Sequence, residues 1–240
     1  HTVIYGPPGT GKTEIARILG KMYSKIGVLK TNNFVKVTRQ DLIAGYLGQT
    51  AIKTAKVIEE AKGGVLFIDE AYSLANSEKE DSFSKECLDT ICECLSNYKD
   101  DLMVIIAGYE DELNNTFFRV NKGLESRFIW RFTMDPYNPE ELMEIYNKIV
   151  MENEWKLKED ALSLEWFKKN SKQFTNYGRD MEQLFTYTKI SHSRRIYGKS
   201  EEKKNIDKED IVNGFKMFID NRKESKLDSI DTNILYSLYC

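Results

Sequence analysis

A glycine-rich stretch near the start of the chain carries the clearest chemical signal. Residues Gly6-Pro7-Pro8-Gly9-Thr10-Gly11-Lys12-Thr13 match the pattern G-x-x-x-x-G-K-[ST] at every fixed position. The glycines let the backbone wrap closely around phosphate groups, with its N–H groups pointing inward. Lys12 can place a positive charge on the β- and γ-phosphates, and the Thr13 hydroxyl can bind Mg²⁺. We therefore expect the stretch from Gly6 to Glu14 to bind a nucleotide.

Two adjacent carboxylates form the second signal. Asp69 and Glu70 directly follow a continuous apolar run at 65–68. Ligands of parallel sheets bind beyond the carboxyl ends of the strands, where these acids would project. Asp69 there suits Mg²⁺ binding, and Glu70 suits a general base that polarises the attacking water. The alternative is a solvated strand end that binds nothing.

Apolar strands that alternate with helices would position both signals. The pattern predicts strands at 2–5, 34–38, 64–68, 102–107 and 129–134, and helices at 13–24, 50–62 and 82–98. Continuously apolar strands between helices are typical of a parallel sheet that is covered on both faces. Beyond residue 138 the pattern predicts helices alone, at 140–154, 162–170, 179–196 and 207–221.

The prolines divide the chain. All of them lie either in the glycine-rich stretch or at Pro136 and Pro139. Proline interrupts both helices and strands, so the second pair marks a boundary. We predict an α/β core at 1–137, a helical subdomain at 138–225 and a C-terminal tail at 226–240.

Composition excludes several classes of protein. Hydrophobic residues make up 41% of the 240, and 35 basic residues face 38 acidic ones, which argues against bulk disorder. A pI of 5.7 gives no support to a strongly basic nucleic-acid binder. The apolar runs are far shorter than the roughly 20 residues of a membrane helix. We expect an intracellular, cytoplasmic protein that contacts no membrane.

Three cysteines fall close together, at Cys87, Cys92 and Cys94. They could form a metal or redox cluster, but their spacing fits no usual zinc pattern. On a helix, Cys87 and Cys92 would join Leu88, Ile91 and Leu95 in one apolar stripe. The stripe is the interpretation that the spacing favours.

Several stretches, taken together, resemble the AAA+ ATPases. Within that family the resemblance is to the branch of stage V sporulation protein K-like ATPases and red-type rubisco activases. Besides the glycine-rich stretch, it is carried by DLIAGYLGQT at 41–50, GGVLFIDEAY at 63–72, IAGY at 106–109 and NKGLESRF at 121–128.

The resemblance implies a P-loop NTPase fold and a function. The expected fold is α/β, with a three-layer parallel sheet of strand order 5-1-4-3-2 and a C-terminal helical lid. The expected activity is Mg²⁺-dependent ATP hydrolysis, with ATP and Mg²⁺ as cofactors. Such proteins usually form hexameric rings of identical subunits that remodel a protein client or thread it through a central pore.

The resemblance also assigns roles to single residues. Tyr46, Leu47 and Gly48 match the aromatic–hydrophobic–glycine pattern of a pore loop, although Tyr46 could instead be a core aromatic. Arg127 matches the arginine finger that reaches a neighbouring subunit's γ-phosphate. Arg119 and Arg131 are competitors for that role, and a surface salt bridge is the simpler alternative.

Two further positions stay open. Arg179 matches the sensor 2 arginine of the lid, or it belongs to ordinary helix N-terminal chemistry. Gly108-Tyr109 stands where many AAA+ proteins have a small polar residue, sensor 1, at the end of the fourth strand. Tyr109 or Asn114 could take over that role, or the role is absent.

Two other functions compete with a protein-remodelling motor. A nucleic-acid-associated loader would favour a basic surface, but the basic residues at 199–204 are mixed with Glu201 and Glu202 and indicate a solvated loop. A nucleotide-switched structural ring would not need Glu70 or Arg127, and both are present.

Overall fold

The chain is divided into two compact units, His1–Pro136 and Tyr137–Cys240, in a computed structural model. The structure describes residues 1–46, 48–75, 82–199 and 203–238, and the side chains of the last helix up to residue 223. Each unit has its own hydrophobic core.

A five-stranded parallel sheet forms the centre of the first unit in its described part. Its strands are β1 (Thr2–Tyr5), β2 (Phe34–Val37), β3 (Val65–Ile68), β4 (Met103–Gly108) and β5 (Trp130–Thr133). They lie in the order β2-β3-β4-β1-β5, which confirms the predicted order read from the other edge.

Helices connect these strands. They are α1 (Lys12–Lys25), α2 (Arg39–Leu42), α3 (Thr50–Ala61), α4 (Ser82–Asn97), α5 (Glu110–Asn115), α6 (Phe117–Val120) and α7 (Lys122–Glu125). A 3-10 helix at Ala71–Leu74 follows β3. The sequence pattern missed this short helix together with α2, α5, α6 and α7, because four to six residues are too few to show a helical period.

The central strands β3, β4 and β1 are buried on both faces, as the apolar runs predict, whereas all four residues of β5 are exposed. In β1, Val3 and Tyr5 pack into the core formed with α3 and α4, whereas Ile4 packs into the core formed with α1. Leu66 and Phe67 of β3 divide between the two cores in the same way. Alternate residues of a strand point to opposite faces, so the unit has three layers.

The predicted cysteine stripe lies in the first of these cores. Cys87, Leu88, Ile91 and Leu95 are buried along one side of α4, and the partly buried Cys92 packs against the same cluster. Burial raises the pKa of the Cys87 thiol to about 11, which keeps it protonated and unreactive at neutral pH. No helix in the described ranges is both long and apolar enough to cross a membrane.

The second unit is built mainly from helices. They are α8 (Pro139–Glu152), α9 (Leu164–Asn170), α10 (Tyr177–Ile196) and α11 (Lys208–Leu238), with a 3-10 helix at Ser171–Gln173. Asn138 begins α8 by accepting hydrogen bonds from the N–H groups of Glu140 and Glu141. Two strands, β6 (Lys156–Leu157) and β7 (Asn205–Ile206), pair in parallel. The sequence indicated helices alone here, because two residues cannot show alternation.

Helices α10 and α11 are in close contact within this unit. Gly214 of α11 lies so near the backbone of Thr188 that a Cβ there would be 2.7 Å from the Thr188 nitrogen. The Thr188 hydroxyl is buried and accepts a 2.9 Å hydrogen bond from Tyr146 of α8. Glycine at position 214 is therefore what lets the two helices approach.

We predict that Gly214→Ala destabilises the second unit. The added methyl group must push α10 and α11 apart, at a cost of about 1–3 kcal/mol. This exceeds the gain of at most about 1 kcal/mol from better helix propensity. Urea unfolding followed by circular dichroism measures the change. The control is Gly45→Ala, because no atom of the described residues lies within 4 Å of a Cβ there. Equal stability of both variants would contradict the prediction.

Candidate active site

The phosphate-binding stretch leaves β1 and enters α1 through three glycines of unusual backbone conformation. Gly6, Gly9 and Gly11 have φ angles of 149°, 79° and 84°. Other residues adopt these angles only under strain. Thr10 is buried and donates a 2.8 Å hydrogen bond to the Pro7 carbonyl, which closes the loop. The loop therefore has the compact shape that its sequence predicts.

The amino end of α1 is open to an anion. Its N-cap residue is Gly11, and within the described part of the chain no side chain forms a capping hydrogen bond there. The first N–H groups of a helix have no partner within the helix and carry a partial positive charge. The Lys12 ammonium lies beside them and donates 2.7 Å hydrogen bonds to the carbonyls of Gly6 and Pro7. The residues present thus fit a bound phosphate chain, and Thr13 is half-buried next to Lys12.

Asp69 and Glu70 leave the carboxyl end of β3, as expected. The Asp69 N–H donates to the Val37 carbonyl, which extends the pairing of β2 with β3 by one residue. The Asp69 carboxylate is half-buried and pairs with the Lys36 ammonium at 2.9 Å. A carboxylate in this position fits a hard cation such as Mg²⁺. No pattern in the sequence indicated the Lys36 contact.

Glu70 adopts a strained backbone conformation. Its φ and ψ angles are 50° and 46°, in the left-handed region that few residues other than glycine, asparagine and aspartate occupy. It directly precedes the 3-10 helix Ala71–Leu74, and its carbonyl accepts a 2.8 Å hydrogen bond from Ser73. The Glu70 side chain is exposed. Strain of this kind is concentrated at functional sites, where the surrounding structure maintains it.

The end of β4 lies between the phosphate-binding loop and Glu70. Gly108 pairs with Tyr5 of β1, and its carbonyl accepts a 3.2 Å hydrogen bond from the Gly6 N–H. Tyr109 follows and packs against Tyr72 of the 3-10 helix, with ring centroids 6.0 Å apart. Asn114, the other sensor 1 candidate, is exposed on α5.

Tyr72 is electrostatically coupled to the acidic residues of the site. Burial, followed by repulsion from Glu70 and Glu112, raises the pKa of Tyr72 to about 12. Its hydroxyl therefore stays protonated across the physiological range. Tyr72 ends the stretch GGVLFIDEAY at 63–72, but the resemblance assigned no role to it.

Arg127 lies at the opposite edge of the sheet. Its guanidinium donates to the Ser96 hydroxyl at 2.7 Å and to the Gly123 carbonyl at 2.6 Å. It also lines a cavity of about 740 Å³ with Thr2, Met103 and Trp130, which begin β1, β4 and β5. Lys12 and Glu70 lie beyond the carboxyl ends of the strands, so Arg127 is not part of the site in its own chain.

The two competing arginines differ in their contacts. Arg131 forms an ion pair with Glu125 at 3.5 Å and lies over the Phe118 ring at 4.9 Å, so it has a structural partner on each side. Arg119 is exposed on α6.

The candidate pore-loop residues lie between α2 and α3. The Tyr46 side chain is 75% exposed, so Tyr46 is not a core aromatic. Gly48 has a φ angle of 76°. Leu47 lies outside the described residues.

Arg179 belongs to the second unit. It is exposed in the first turn of α10. Asp180 beside it is fully buried, accepts a hydrogen bond from the Asn176 N–H at 2.8 Å and pairs with Arg222 of α11. Asp180 therefore fixes the start of α10, and Arg179 projects from that start.

A family model decides the family. The model described as "ATPase family associated with various cellular activities (AAA)" matches residues 2–129, more than half of the chain. The chain belongs to the AAA ATPase family. The match covers the phosphate-binding loop, Asp69, Glu70 and Arg127, and it confirms the family predicted from the sequence. The match supports ATP as the cofactor of this AAA domain, and ATP is typically bound with Mg²⁺.

Curated relatives agree with the expected branch. A cfxQ-like protein of Acanthamoeba polyphaga mimivirus is 42% identical over 98% of this chain and 59% of its own length. Stage V sporulation protein K of Bacillus subtilis is 39% identical over 69% of this chain and 50% of its own length. The chloroplastic ribulose bisphosphate carboxylase/oxygenase activase of Cyanidioschyzon merolae is 33% identical over 88% of this chain and 72% of its own length. The chain thus spans 59% of the mimivirus relative and 50% of the Bacillus subtilis relative.

Solved structures agree on the fold. The crystal structure of the FIGL-1 AAA domain in complex with ADP has a TM-score of 0.61 to this chain. It is 20% identical and covers 90% of this chain and 71% of its own. A likeness at this identity concerns the fold alone.

We predict that Lys36 competes with Mg²⁺ for the Asp69 carboxylate. In Lys36→Met, the Mg²⁺ concentration for half-maximal ATP turnover should fall by about two- to fivefold, the size of a partly exposed ion pair. The measurement is ATP hydrolysis titrated with Mg²⁺. Lys30→Met is the matched control, because Lys30 forms a similar 3.0 Å pair with Asp101 away from the site. An unchanged Mg²⁺ requirement in Lys36→Met would refute the competition.

Proposed function

We propose that this AAA domain hydrolyses ATP in a Mg²⁺-dependent reaction at the carboxyl edge of its sheet. The observation that carries the proposal is the convergence there of an uncapped helix terminus, Lys12 and the pair Asp69-Glu70. Bound ATP would supply the γ-phosphoryl group for transfer to water. The backbone N–H groups of the stretch from Gly6 to Glu14 hold the phosphates, and Lys12 neutralises their charge.

Two residues hold the metal and one activates the water. The Thr13 hydroxyl and the Asp69 carboxylate are the oxygen donors suited to Mg²⁺. Glu70 accepts the proton of the attacking water as general base. Its strained backbone and exposed side chain support this role, because strain of this kind is concentrated at functional sites and an exposed carboxylate is accessible to water.

We further propose that Arg127 completes the site of a neighbouring copy. A finger arginine neutralises charge that develops on the transferred phosphoryl group. Arg127 lies at the amino edge of its own sheet, so it can serve only a site on another chain. This supports a homo-oligomer in which each subunit supplies Arg127 to the next, and a closed hexameric ring repeats that contact around one axis.

Mixing two inactive variants tests this arrangement. Glu70→Gln lacks the base but keeps Arg127, and Arg127→Ala has the reverse defect. Glu70→Gln alone should lower turnover by about 10²–10⁴-fold. Arg127→Ala alone should lower it by about 10³–10⁵-fold. Co-assembled at random from equal amounts, they should recover up to about a quarter of the wild-type turnover, because about one contact in four then joins an intact base to an intact finger.

Steady-state ATP hydrolysis of the mixture, against each variant alone, is the measurement. Arg119→Ala serves as the control arginine and should retain turnover. If the mixture recovers no turnover although light scattering shows that both variants still assemble, the result would argue against a shared site. A wild type without turnover would refute the hydrolysis proposal itself.

We also propose that the oligomer acts on a protein client through Tyr46. An exposed aromatic ring beside the left-handed Gly48 suits a mobile loop that grips a polypeptide without reading its sequence. Relatives support a protein client, because one of them is named as the activase of another enzyme. The free cysteines at 87, 92 and 94 and the requirement for ATP support a cytoplasmic setting.

We predict that Tyr46 couples ATP turnover to a polypeptide. A permanently unfolded protein such as carboxymethylated lactalbumin should stimulate the turnover of the wild type. Tyr46→Ala should keep its basal rate and lose the stimulation, whereas Tyr46→Phe should keep both, because the ring provides the grip. A stimulation that survives in Tyr46→Ala would remove Tyr46 from client contact.

The second unit is proposed as a nucleotide-sensing lid. Residues 138–225 would form the lid on a core of 1–137, followed by a tail at 226–240. Arg179, exposed at the start of α10, is proposed as sensor 2, the lid residue that contacts the bound nucleotide. The buried Asp180 supports this role, because its bonds to Asn176 and Arg222 hold the start of α10 rigid.

A further inference from the structure

We propose that the aromatic pair of Tyr72 and Tyr109 positions Glu70 for catalysis. This inference deepens the hydrolysis site described above and rests on that proposed function.

The two rings lie beyond the carboxyl ends of β3 and β4. Strands β3 and β4 are neighbours in register, with Ile68 opposite Ile106, so the segments that follow them leave the same edge of the sheet side by side. Tyr72 comes from the segment after β3 and Tyr109 from the segment after β4. Their contact at 6.0 Å between centroids joins the two segments directly beside Glu70. Such aromatic contacts stabilise a structure beyond the effect of buried area alone.

The Tyr72 ring also contacts Gly108 at the end of β4. A Cβ at position 108 would lie 2.9 Å from Cδ1 of Tyr72, so the ring packs directly on the Gly108 backbone. The Gly108 carbonyl in turn accepts the hydrogen bond from Gly6 of the phosphate-binding loop. One glycine thus contacts both the loop that holds phosphate and the ring next to the general base.

The backbone of Glu70 is strained. A left-handed conformation is unfavourable for a glutamate and persists only where neighbouring contacts enforce it. The 3-10 helix after Glu70 provides them. The Ser73 N–H donates to Glu70, the Ala75 N–H donates to Tyr72 at 3.1 Å, and Arg39 donates to the Ser73 carbonyl at 2.7 Å. Tyr72 attaches this short helix to β4.

The pair therefore transmits the position of β4 to the carboxylate of Glu70. Tyr72 and Tyr109 are positioning residues, because they act through Glu70 and through the turn that carries it. This role requires the packed ring of Tyr72 but not its hydroxyl.

Three variants test the inference. Tyr72→Leu removes the ring, Tyr72→Phe keeps it, and Tyr98→Leu removes a half-buried ring that lies over Lys62 away from the site. We expect Tyr72→Leu to lower kcat by about 10- to 100-fold, the effect of displacing a catalytic group by about 1 Å. The KM for ATP should stay within about twofold, because the phosphate-binding loop is intact. Tyr72→Phe and Tyr98→Leu should stay near the wild type in both constants.

A second readout does not depend on turnover. The Ser73 N–H is protected by its bond to Glu70, so hydrogen–deuterium exchange over residues 70–75 reports whether the turn is held. Exchange there should accelerate in Tyr72→Leu and stay unchanged in Tyr72→Phe and Tyr98→Leu. Binding of a fluorescent ADP analogue should be equal in all three.

The possible results distinguish a failure of this inference from a failure of the proposed ATP hydrolysis. Wild-type kcat and exchange in Tyr72→Leu would overturn the inference while leaving ATP hydrolysis intact. Equal losses in Tyr72→Phe and Tyr72→Leu would also overturn it, since the hydroxyl would then matter rather than the ring. If Tyr72→Leu does not fold, Tyr109→Leu carries the test, because Tyr109 is 40% exposed and its ring lies on the other side of the same contact. A kcat loss there with unchanged KM supports the pair, and no loss refutes it.

Discussion

The parallel pairing of β1 with β4 is the contact on which the site depends. It places Tyr5 opposite Gly108 and continues one residue further, where Gly6 donates its N–H to the Gly108 carbonyl. Because β4 also pairs with β3, the loop after β1 and the acidic segment after β3 leave the same edge of the sheet with only β4 between them. Phosphate-binding backbone, ammonium and carboxylates are therefore held by the most deeply buried part of the first unit.

Placing the chemistry at one edge has a cost for a single chain. A strand of four residues spans about 13 Å, and Arg127 lies at the far end of that span, hydrogen-bonded to Ser96 and Gly123. The chain therefore presents a base and a phosphate site at one edge and a candidate finger at the other. Such a division makes sense for a molecule whose identical copies meet edge to edge, because each contact then brings the two halves together.

Strain and packing are balanced around Glu70. The residue lies between the rigid end of β3 and a 3-10 helix whose position is set by Tyr72, Gly108 and Arg39. The free energy that maintains an unfavourable backbone there comes from ordinary aromatic packing and backbone hydrogen bonds. The Glu70 side chain is exposed, so we attribute its position to these contacts of the backbone and of the helix that follows it.

Features encoded by a few consecutive residues could be predicted from the sequence. Residues 6–13 and 65–70 could be identified because the glycines, the lysine and the acidic pair are consecutive and follow short apolar runs. The strands and long helices followed from periodicity, and the strand order from the resemblance to a known family. The short helices and the two-residue strands β6 and β7 could not be predicted, because they are too short for a pattern to repeat.

The contacts between distant residues were decided by the tertiary structure alone. The ion pair of Lys36 with Asp69 and the packing of Tyr72 on Gly108 each join separate segments. The placement of Arg127 at the amino edge is of the same kind. No local pattern encodes such contacts, because they follow from the register of parallel strands that meet only when the whole sheet has formed. The sequence therefore named the reacting groups, and the assembled sheet decided which of them share one site.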